Sequence, residues 1–506
     1  MRSIASFCFL LLLAAALLAQ EPDLGTEKQR EAGKKIYMEK CSQCHGDNGD
    51  GNGIATPFFL PRPRDFTAGK YKIRTTATGE LPTTEDLKRI IKNGMPYTGM
   101  PGWPGLSDDE LTNLAYYLKT FNEDFADPDY VPEPIEIPDP PKFTEESARR
   151  GREVYEANEC IQCHGNQGRG DGTSAPTLVD DWGNPIRPAD LTKRWTFRGG
   201  SSRKDIYRTF TTGLNGTPMP SYADIISEED RWHLVNYVYS LSDRDEPNYA
   251  TVVVAKPVEG ELDLQKGKAL FETAPAALFP IVGQVIEPGR EFYPGVNAIE
   301  AKAVYNQDEL AIMLLWHDMT AETKGKNGPD IRVPRFGEDT LAAGETYSDA
   351  VALQFPSEMP EGIVKPFFLF GDRRNPVDIW FADLAQSRPQ LFIGKGSTNI
   401  TPSDASELDM TARYEEGEWM VIFKRKRMKE EGLSFVEGTF IPIAFSVWDG
   451  FNKERGNKRG ISSWYYLYLE PARQTSVAIP MLKWGLLTLL LELGLIYTVR
   501  RNHKKS

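Results

Sequence analysis

Three features of the sequence predict a multidomain fold class: two all-α domains in tandem, one β-sandwich domain and one C-terminal transmembrane helix. The first feature is an internal repeat, residues 30–122 against 148–242, in which each copy carries a Cys-x-x-Cys-His pentapeptide and closes on an acid-capped helix. The second is a change of texture from about residue 250, where short β-branched and aromatic runs are separated by Gly, Pro, Asn and Asp. The third is an apolar stretch from Ile479 to Val499. The expected boundaries are 1–19 for a signal peptide, 25–122 and 144–243 for the repeats, and 123–143 for a linker. The sandwich spans 250–472, the membrane helix 477–499 and a basic tail 500–506.

At 506 residues the chain exceeds one ordinary domain, and 40% hydrophobic with 11% aromatic residues is enough to bury several cores. A net charge of −13 argues against nucleic-acid binding, which needs clustered Lys and Arg. Met1-Arg2, an apolar run from Phe7 to Leu18 and the small residues Ala14, Ala15, Ala16 and Ala19 read as a secretory signal peptide. Of the five cysteines, Cys8 falls in that segment and the other four all lie inside the two pentapeptides. An exported chain with no cysteine to spare has neither a disulfide framework nor a stray thiol.

Cys41-Ser42-Gln43-Cys44-His45 and Cys160-Ile161-Gln162-Cys163-His164 have the spacing of covalent c-type haem attachment. Two thiols three positions apart add to two vinyl groups on one haem edge, and the adjacent imidazole then reaches the iron. Each motif follows a matching amphipathic lead-in (Ala32 to Tyr37, Arg150 to Tyr155) and runs into a glycine-rich loop. Arg64-Asp65-Phe66-Thr67 pairs with Ala189-Asp190-Leu191-Thr192, and the segment Gly94 to Pro101 with Gly213 to Pro220. Cys160 lies 119 positions after Cys41, and Met219 the same 119 after Met100. Leu214 stands where the first copy has Met95, which favours Met100 as the ligand. Both units resemble class I cytochrome c over their full length. That resemblance implies two all-α cytochrome c domains, two covalent haems c, His45 and His164 as proximal ligands, and Met100 and Met219 as distal ones. Methionine raises the reduction potential, and a six-coordinate iron leaves no site for substrate, so electron transfer is the expected task. Arg74 and Arg198 are candidates for propionate contacts.

Other uses of these residues fit poorly. A structural zinc site needs four converging ligands, whereas the second cysteine pair sits 116 residues away in its own complete motif. A thioredoxin-like dithiol lacks a βαβ setting. The run Asp47 to Asn52 resembles a calcium loop but has no Glu at the required spacing. A dihaem peroxidase requires an open or His-ligated iron.

Asn122 to Pro141 is acidic and proline-rich, as expected of a stiff extended linker. Beyond residue 250, candidate strands are 311–316, 350–355, 377–381, 419–423, 441–448 and 464–469. Lacking cysteine, this region holds no third c-type haem. Its Leu315-Trp316-His317-Asp318, Asp349 to Pro356, Gly371-Asp372, Ile379 to Asp383, Gly417-Glu418-Trp419, Ala444 to Gly450 and Ser462 to Tyr465 resemble the haem-binding domain of the ethylbenzene dehydrogenase gamma-subunit family. The resemblance implies a non-covalent haem b between a Met and a Lys, in the electron-transfer subunit of a molybdenum enzyme of the dimethyl-sulfoxide-reductase type. Lys458 is the candidate lysine, with Lys453 second. Met359 is the candidate methionine, with Met319 and His317 as other possibilities, since Phe367-Phe368-Leu369-Phe370 precedes Gly371.

The 21 residues from Ile479 to Val499 give about 31 Å of helix, enough to cross a bilayer. Arg500, Arg501, Lys504 and Lys505 place the tail in the cytoplasm, with Lys483 and Trp484 at the opposite interface. Glu492 is a costly mid-membrane acid. The sequence therefore predicts a membrane-anchored, periplasmic multihaem cytochrome without a catalytic constellation of its own. Its expected partners are iron–sulfur and molybdenum subunits of a periplasmic oxidoreductase, together with other respiratory-chain proteins. The alternative is a haem-bearing surface protein whose sandwich is a ligand-binding module without haem b.

Overall fold

The computed structural model describes residues 22–128, 130–242, 246–334, 345–362, 364–386, 388–472 and 478–503. The expected signal peptide, 1–19, lies outside them.

The first unit begins with α1 (Glu27–Lys40), started by a Thr26 capping box, and the short α2 (Ser42–His45) follows. Helices α3 (Thr84–Asn93) and α4 (Asp108–Lys119) carry capping boxes from Thr83 and Ser107. The second unit repeats the order with α5 (Glu145–Ala157), α6 (Ile161–His164), α7 (Arg203–Thr212) and α8 (Glu228–Ser240). In each unit the first and last helices cross at a glycine. A Cβ on Gly33 would lie 2.0 Å from the Asn113 carbonyl oxygen, and one on Gly151 2.0 Å from that of His233. The backbones meet so closely that no other residue fits. Above each crossing, Tyr37 packs on Tyr117 and Tyr155 on Tyr237, both pairs with ring centroids 5.3 Å apart. The Tyr37 hydroxyl donates to the Gly46 carbonyl at 2.6 Å and that of Tyr155 to Gly165 at 2.6 Å, fixing the loop behind each haem motif.

The proline-rich connection is extended but tied down. Phe125 is buried in the core of the first unit, Ile137 packs on that of the second, and the Ile135 amide donates to Thr75 at 2.8 Å. Arg74, fully buried, crosses between the units: it donates to the carbonyls of Ala77 at 3.0 Å, Thr212 at 2.8 Å and Gly213 at 3.3 Å. A charged group bonded to carbonyls on both sides holds the repeats in one arrangement.

The third region is a β-sandwich of one mixed and one antiparallel sheet. The first sheet runs β10 (Leu408–Glu415), β11 (Glu418–Lys426), β5 (Glu309–His317), β4 (Ala298–Tyr305), β1 (Val252–Pro257), β14 (Tyr465–Leu469) and β12 (Phe440–Trp448). Strand β1 is parallel to both its neighbours, β4 and β14. Strand β12 leaves that sheet midway. Phe440 to Ile443 pair with β14, whereas Ala444 to Trp448 pair with β6 (Ala350–Pro356). From β6 the second sheet continues through β7 (Val377–Asp383), β8 (Gln390–Gly394) and β9 (Ile400–Ser403). The inner faces share one core, in which Leu314 and Val421 of the first sheet and Leu353 and Trp380 of the second are fully buried. Short strands β2 (Ala277–Pro280), β3 (Val282–Gly283) and β13 (Gly460–Ile461) flank the two sheets.

The C-terminal helix α9 (Ala478–His503) contains the stretch Met481–Arg501, long and apolar enough to cross a membrane, with none of its window buried against the rest of the chain.

Candidate functional site

Both pentapeptides sit on one-turn helices, α2 and α6, placed by the packed lead-in helices before them. None of the four motif cysteines is in a disulfide, which leaves all four sulfurs for thioether bonds to haem.

The histidines are oriented identically. His45 Nδ1 lies 2.9 Å from the Arg64 carbonyl oxygen, and His164 Nδ1 3.0 Å from that of Ala189. A carbonyl only accepts, so Nδ1 carries the proton and Nε2 keeps its lone pair for a metal. Burial holds both imidazoles neutral. The turn presenting each carbonyl is set by an Asp-x-Thr sequence: Asp65 Oδ1 accepts from the Thr67 amide at 2.9 Å, and Asp190 Oδ1 from that of Thr192 at 3.0 Å.

The two methionine loops repeat the same hydrogen bonds residue by residue. The Met95 amide donates to the Met100 carbonyl at 3.1 Å, and the Leu214 amide to that of Met219 at 3.1 Å. Thr98 Oγ1 donates to the Met95 carbonyl at 2.9 Å and accepts from the Met100 amide at 3.1 Å. Thr217 does the same for Leu214 at 2.8 Å and Met219 at 3.3 Å. Met100 is thus the structural counterpart of Met219.

Cys41, Cys44, His45 and Met100 line the same cavity as Cys160, Cys163, His164 and Met219, a continuous space of about 570 Å³. The two clefts open into each other. Arg64, Lys72 and Arg198 also line it. Burial and the neighbouring Arg64 and Arg198 push Lys72 down to about 7. A cavity with apolar walls, paired cysteines, imidazoles, methionine thioethers and excess positive charge fits haem, whose propionates would supply the missing negative charge. When bound, the haem would supply a one-electron couple. The motif cysteines would hold it, His45, His164, Met100 and Met219 would be its candidate ligands, and the apolar walls would exclude water.

Arg198 lines the cavity, whereas Arg74 does not, because its guanidinium is committed to the inter-repeat carbonyls. Arg64 and Lys72 also line it and would be able to meet propionates in its place. Changing Lys72 to leucine is expected to lower the reduction potential of the adjacent haem. Loss of one nearby charge is worth on the order of 1 kcal/mol at an effective dielectric near 20, and a spectroelectrochemical titration measures it.

The sandwich packs on both haem domains. Phe292 and Tyr293 meet Phe58 and Phe59 of the first, with centroid separations of 5.6 and 6.0 Å. On the second, the Arg169 guanidinium donates to the Glu416 carbonyl at 2.7 Å and Arg187 to Asp449 at 2.8 Å. The end of β5 reaches the cavity itself, which His317, Asp318 and Met319 line. Desolvation and Lys193 press His317 down to about 3, so it is neutral, with Nδ1 3.9 Å from Asp190. The remaining sequence candidates, Lys458 and Met359, do not line this cavity. Met359 is 49% exposed, while Lys458 Nζ donates to the Asn452 carbonyl at 3.2 Å and pairs with Glu291 at 3.8 Å. Lys453 donates to the Glu345 carbonyl at 3.1 Å. The contacts between the sandwich and the haem domains were invisible in the sequence, because their partners lie more than 100 residues apart.

The family described as cytochrome c matches residues 30–122, and that described as cytochrome c oxidase, cbb3-type, subunit III matches 146–238. Cytochrome c55X of Paracoccus denitrificans is 32% identical over 116 residues, 22% of this chain and 93% of that protein. The chlorate reductase subunit gamma of Ideonella dechloratans is 29% identical over 186 residues, 36% of this chain and 70% of that one. A Haloferax mediterranei protein named as a respiratory nitrate reductase haem subunit, ORF7, is 24% identical over 181 residues; the alignment spans 35% of this chain and only 58% of that protein. Among solved structures, a chain of the Kuenenia stuttgartiensis reducing HAO-like protein complex is 44% identical, covering 44% of this chain and 100% of that one at a TM-score of 0.41. The chain belongs to the cytochrome c family, with two cytochrome c domains for two covalent haems and a further domain homologous to the haem (gamma) subunits of nitrate and chlorate reductases.

Proposed function

We propose that the chain is the membrane-anchored electron-transfer subunit of an extracytoplasmic molybdenum oxidoreductase, passing electrons between that enzyme and the respiratory chain. The single observation carrying this reading is the continuous cavity that joins both haem sites and is walled at one point by the end of β5 from the sandwich. An electron received on the sandwich side meets the second haem, then the first, without crossing solvent. Two relatives bear names of reductase haem or gamma subunits, which supports an iron–sulfur and molybdenum partner docked on the sandwich. Helix α9, apolar and unburied, serves as the anchor, leaving the haem domains outside the cytoplasmic membrane.

Purifying the full chain in detergent from its native membrane tests this. The expected result is a stoichiometric co-purifying subunit that contains molybdenum, and c-haem bands that bleach or sharpen when that subunit turns over. A chain that isolates without any molybdenum or iron–sulfur protein overturns the proposal. The same preparation counts haems. A b-type haem held by Met359 and Lys458 is extractable by acid acetone, whereas two covalent haems alone make the sandwich purely a docking face.

A further inference from the structure

Three strand ends of the sandwich converge on one buried point facing the second haem domain. Asp318 follows β5, Asp349 precedes β6 and Asp449 follows β12, and a carboxylate oxygen from each lies within 4.8 Å of the other two. All three residues are buried, at 3%, 0% and 0% exposure. Asp349 Oδ1 accepts from the Gly450 amide at 2.8 Å, and its Oδ2 from the Glu322 amide at 2.8 Å and Trp419 Nε1 at 3.0 Å. Asp449 Oδ1 accepts from the Asn452 amide at 3.1 Å and its Oδ2 from Arg187 at 2.8 Å. Asp318 differs: both of its carboxylate oxygens are sealed from solvent with no hydrogen-bond partner, and so is Oε2 of the neighbouring Glu322. Among the described residues, these four acidic side chains and the buried Glu454, which accepts from the Asp449 amide, face one bonded cation, Arg187. Burial and mutual repulsion push the Asp318 carboxyl well above the usual range and that of Asp349 to about 8. Buried charge of one sign is not left uncompensated.

We propose that Asp318, Asp349 and Asp449 form a binding site for a calcium-sized divalent cation. Carboxylate oxygens are the donors that hard cations take, oxygens no more than 4.8 Å apart can share one ion, and a buried all-protein carboxylate site suits calcium, since magnesium retains several waters. Glu322 is placed to add a fourth carboxylate. The site has a structural consequence. Asp318 stands between His317 and Met319, which line the haem cavity, and Asp449 bonds Arg187 of the second haem domain. A cation here fixes the sandwich against that domain.

The test uses the full chain with both haems, purified in detergent, stripped with EGTA, desalted and titrated calorimetrically with calcium chloride and, in parallel, magnesium chloride. The expected result is one calcium per chain with a dissociation constant of about 10⁻⁴ M or tighter, and a melting temperature that rises with calcium. Asp318→Asn should bind no calcium. In EGTA it should melt no lower than the wild type, since it removes a carboxyl whose ionisation burial and its acidic neighbours already oppose. The surface change Asp409→Asn should bind as the wild type does. A wild-type chain that takes up neither ion overturns the proposal, whatever the variants do. Preference for magnesium, or calcium uptake that survives Asp318→Asn, overturns it as well.

Discussion

Alanine at Met219 is expected to lower the reduction potential of one haem and leave the other unchanged. The thioether raises the potential because a soft sulfur donor favours the reduced iron. Axial ligation commands a range of about 0.8 V, so loss of one axial sulfur should give a fall large enough to resolve in a titration. The methionine loops are held independently: Thr217 bonds Leu214 and Met219, and Thr98 bonds Met95 and Met100. The first site should therefore keep its spectrum. A redox titration should resolve one shifted and one unshifted component. Half of the reduced haem should also bind carbon monoxide, which a six-coordinate iron excludes. Unchanged potentials in both components would remove Met219 from the ligand set.

Valine at Gly151 is expected to destabilise the second haem domain by about 3 kcal/mol or more. Its Cβ would sit 2.0 Å from the His233 carbonyl oxygen and 2.7 Å from Tyr237 Cβ, so α5 and α8 must separate. That movement withdraws Tyr155, whose hydroxyl anchors the loop after His164 through the Gly165 carbonyl. Loss of covalent haem at the second site should accompany the fall in melting temperature. Alanine at Gly105, where a new Cβ meets nothing within 4 Å, is the control and should change stability little. Haem staining of the purified variants together with a denaturant titration measures both effects.

Much of the architecture was legible because covalent chemistry is local. Two thiols and an imidazole must lie within five consecutive residues to hold one haem, so the motif is complete in the sequence. The 119-residue register then located Met100 and Met219 without any structure. Six sandwich strands were legible for a similar reason: β5, β6, β7, β11, β12 and β14 are dense in large apolar residues. Strand β10 was missed because Leu408–Glu415 is largely exposed and polar, and β4 because it is built of Ala and charged residues.

Arg74 shows where such reading stops. As an arginine in the right part of a haem domain it suited a propionate, but whether a guanidinium faces a cavity or a carbonyl depends on residues 138 and 139 positions away. Lys72 and Arg64 escaped notice for the converse reason, since nothing near them in sequence marks their burial.

The sequence by itself determined the chemistry of this protein: two cysteine-pair sites for covalent haem, an extracytoplasmic chain and an apolar C-terminal helix. Only the tertiary structure decided that the two haem clefts open into one cavity, that the sandwich walls it with His317, and that three aspartates from separate strand ends meet beside it. The physical reason is range. Thioether attachment and helix capping act over a few residues, whereas desolvation and charge act between whatever side chains the folded chain brings together.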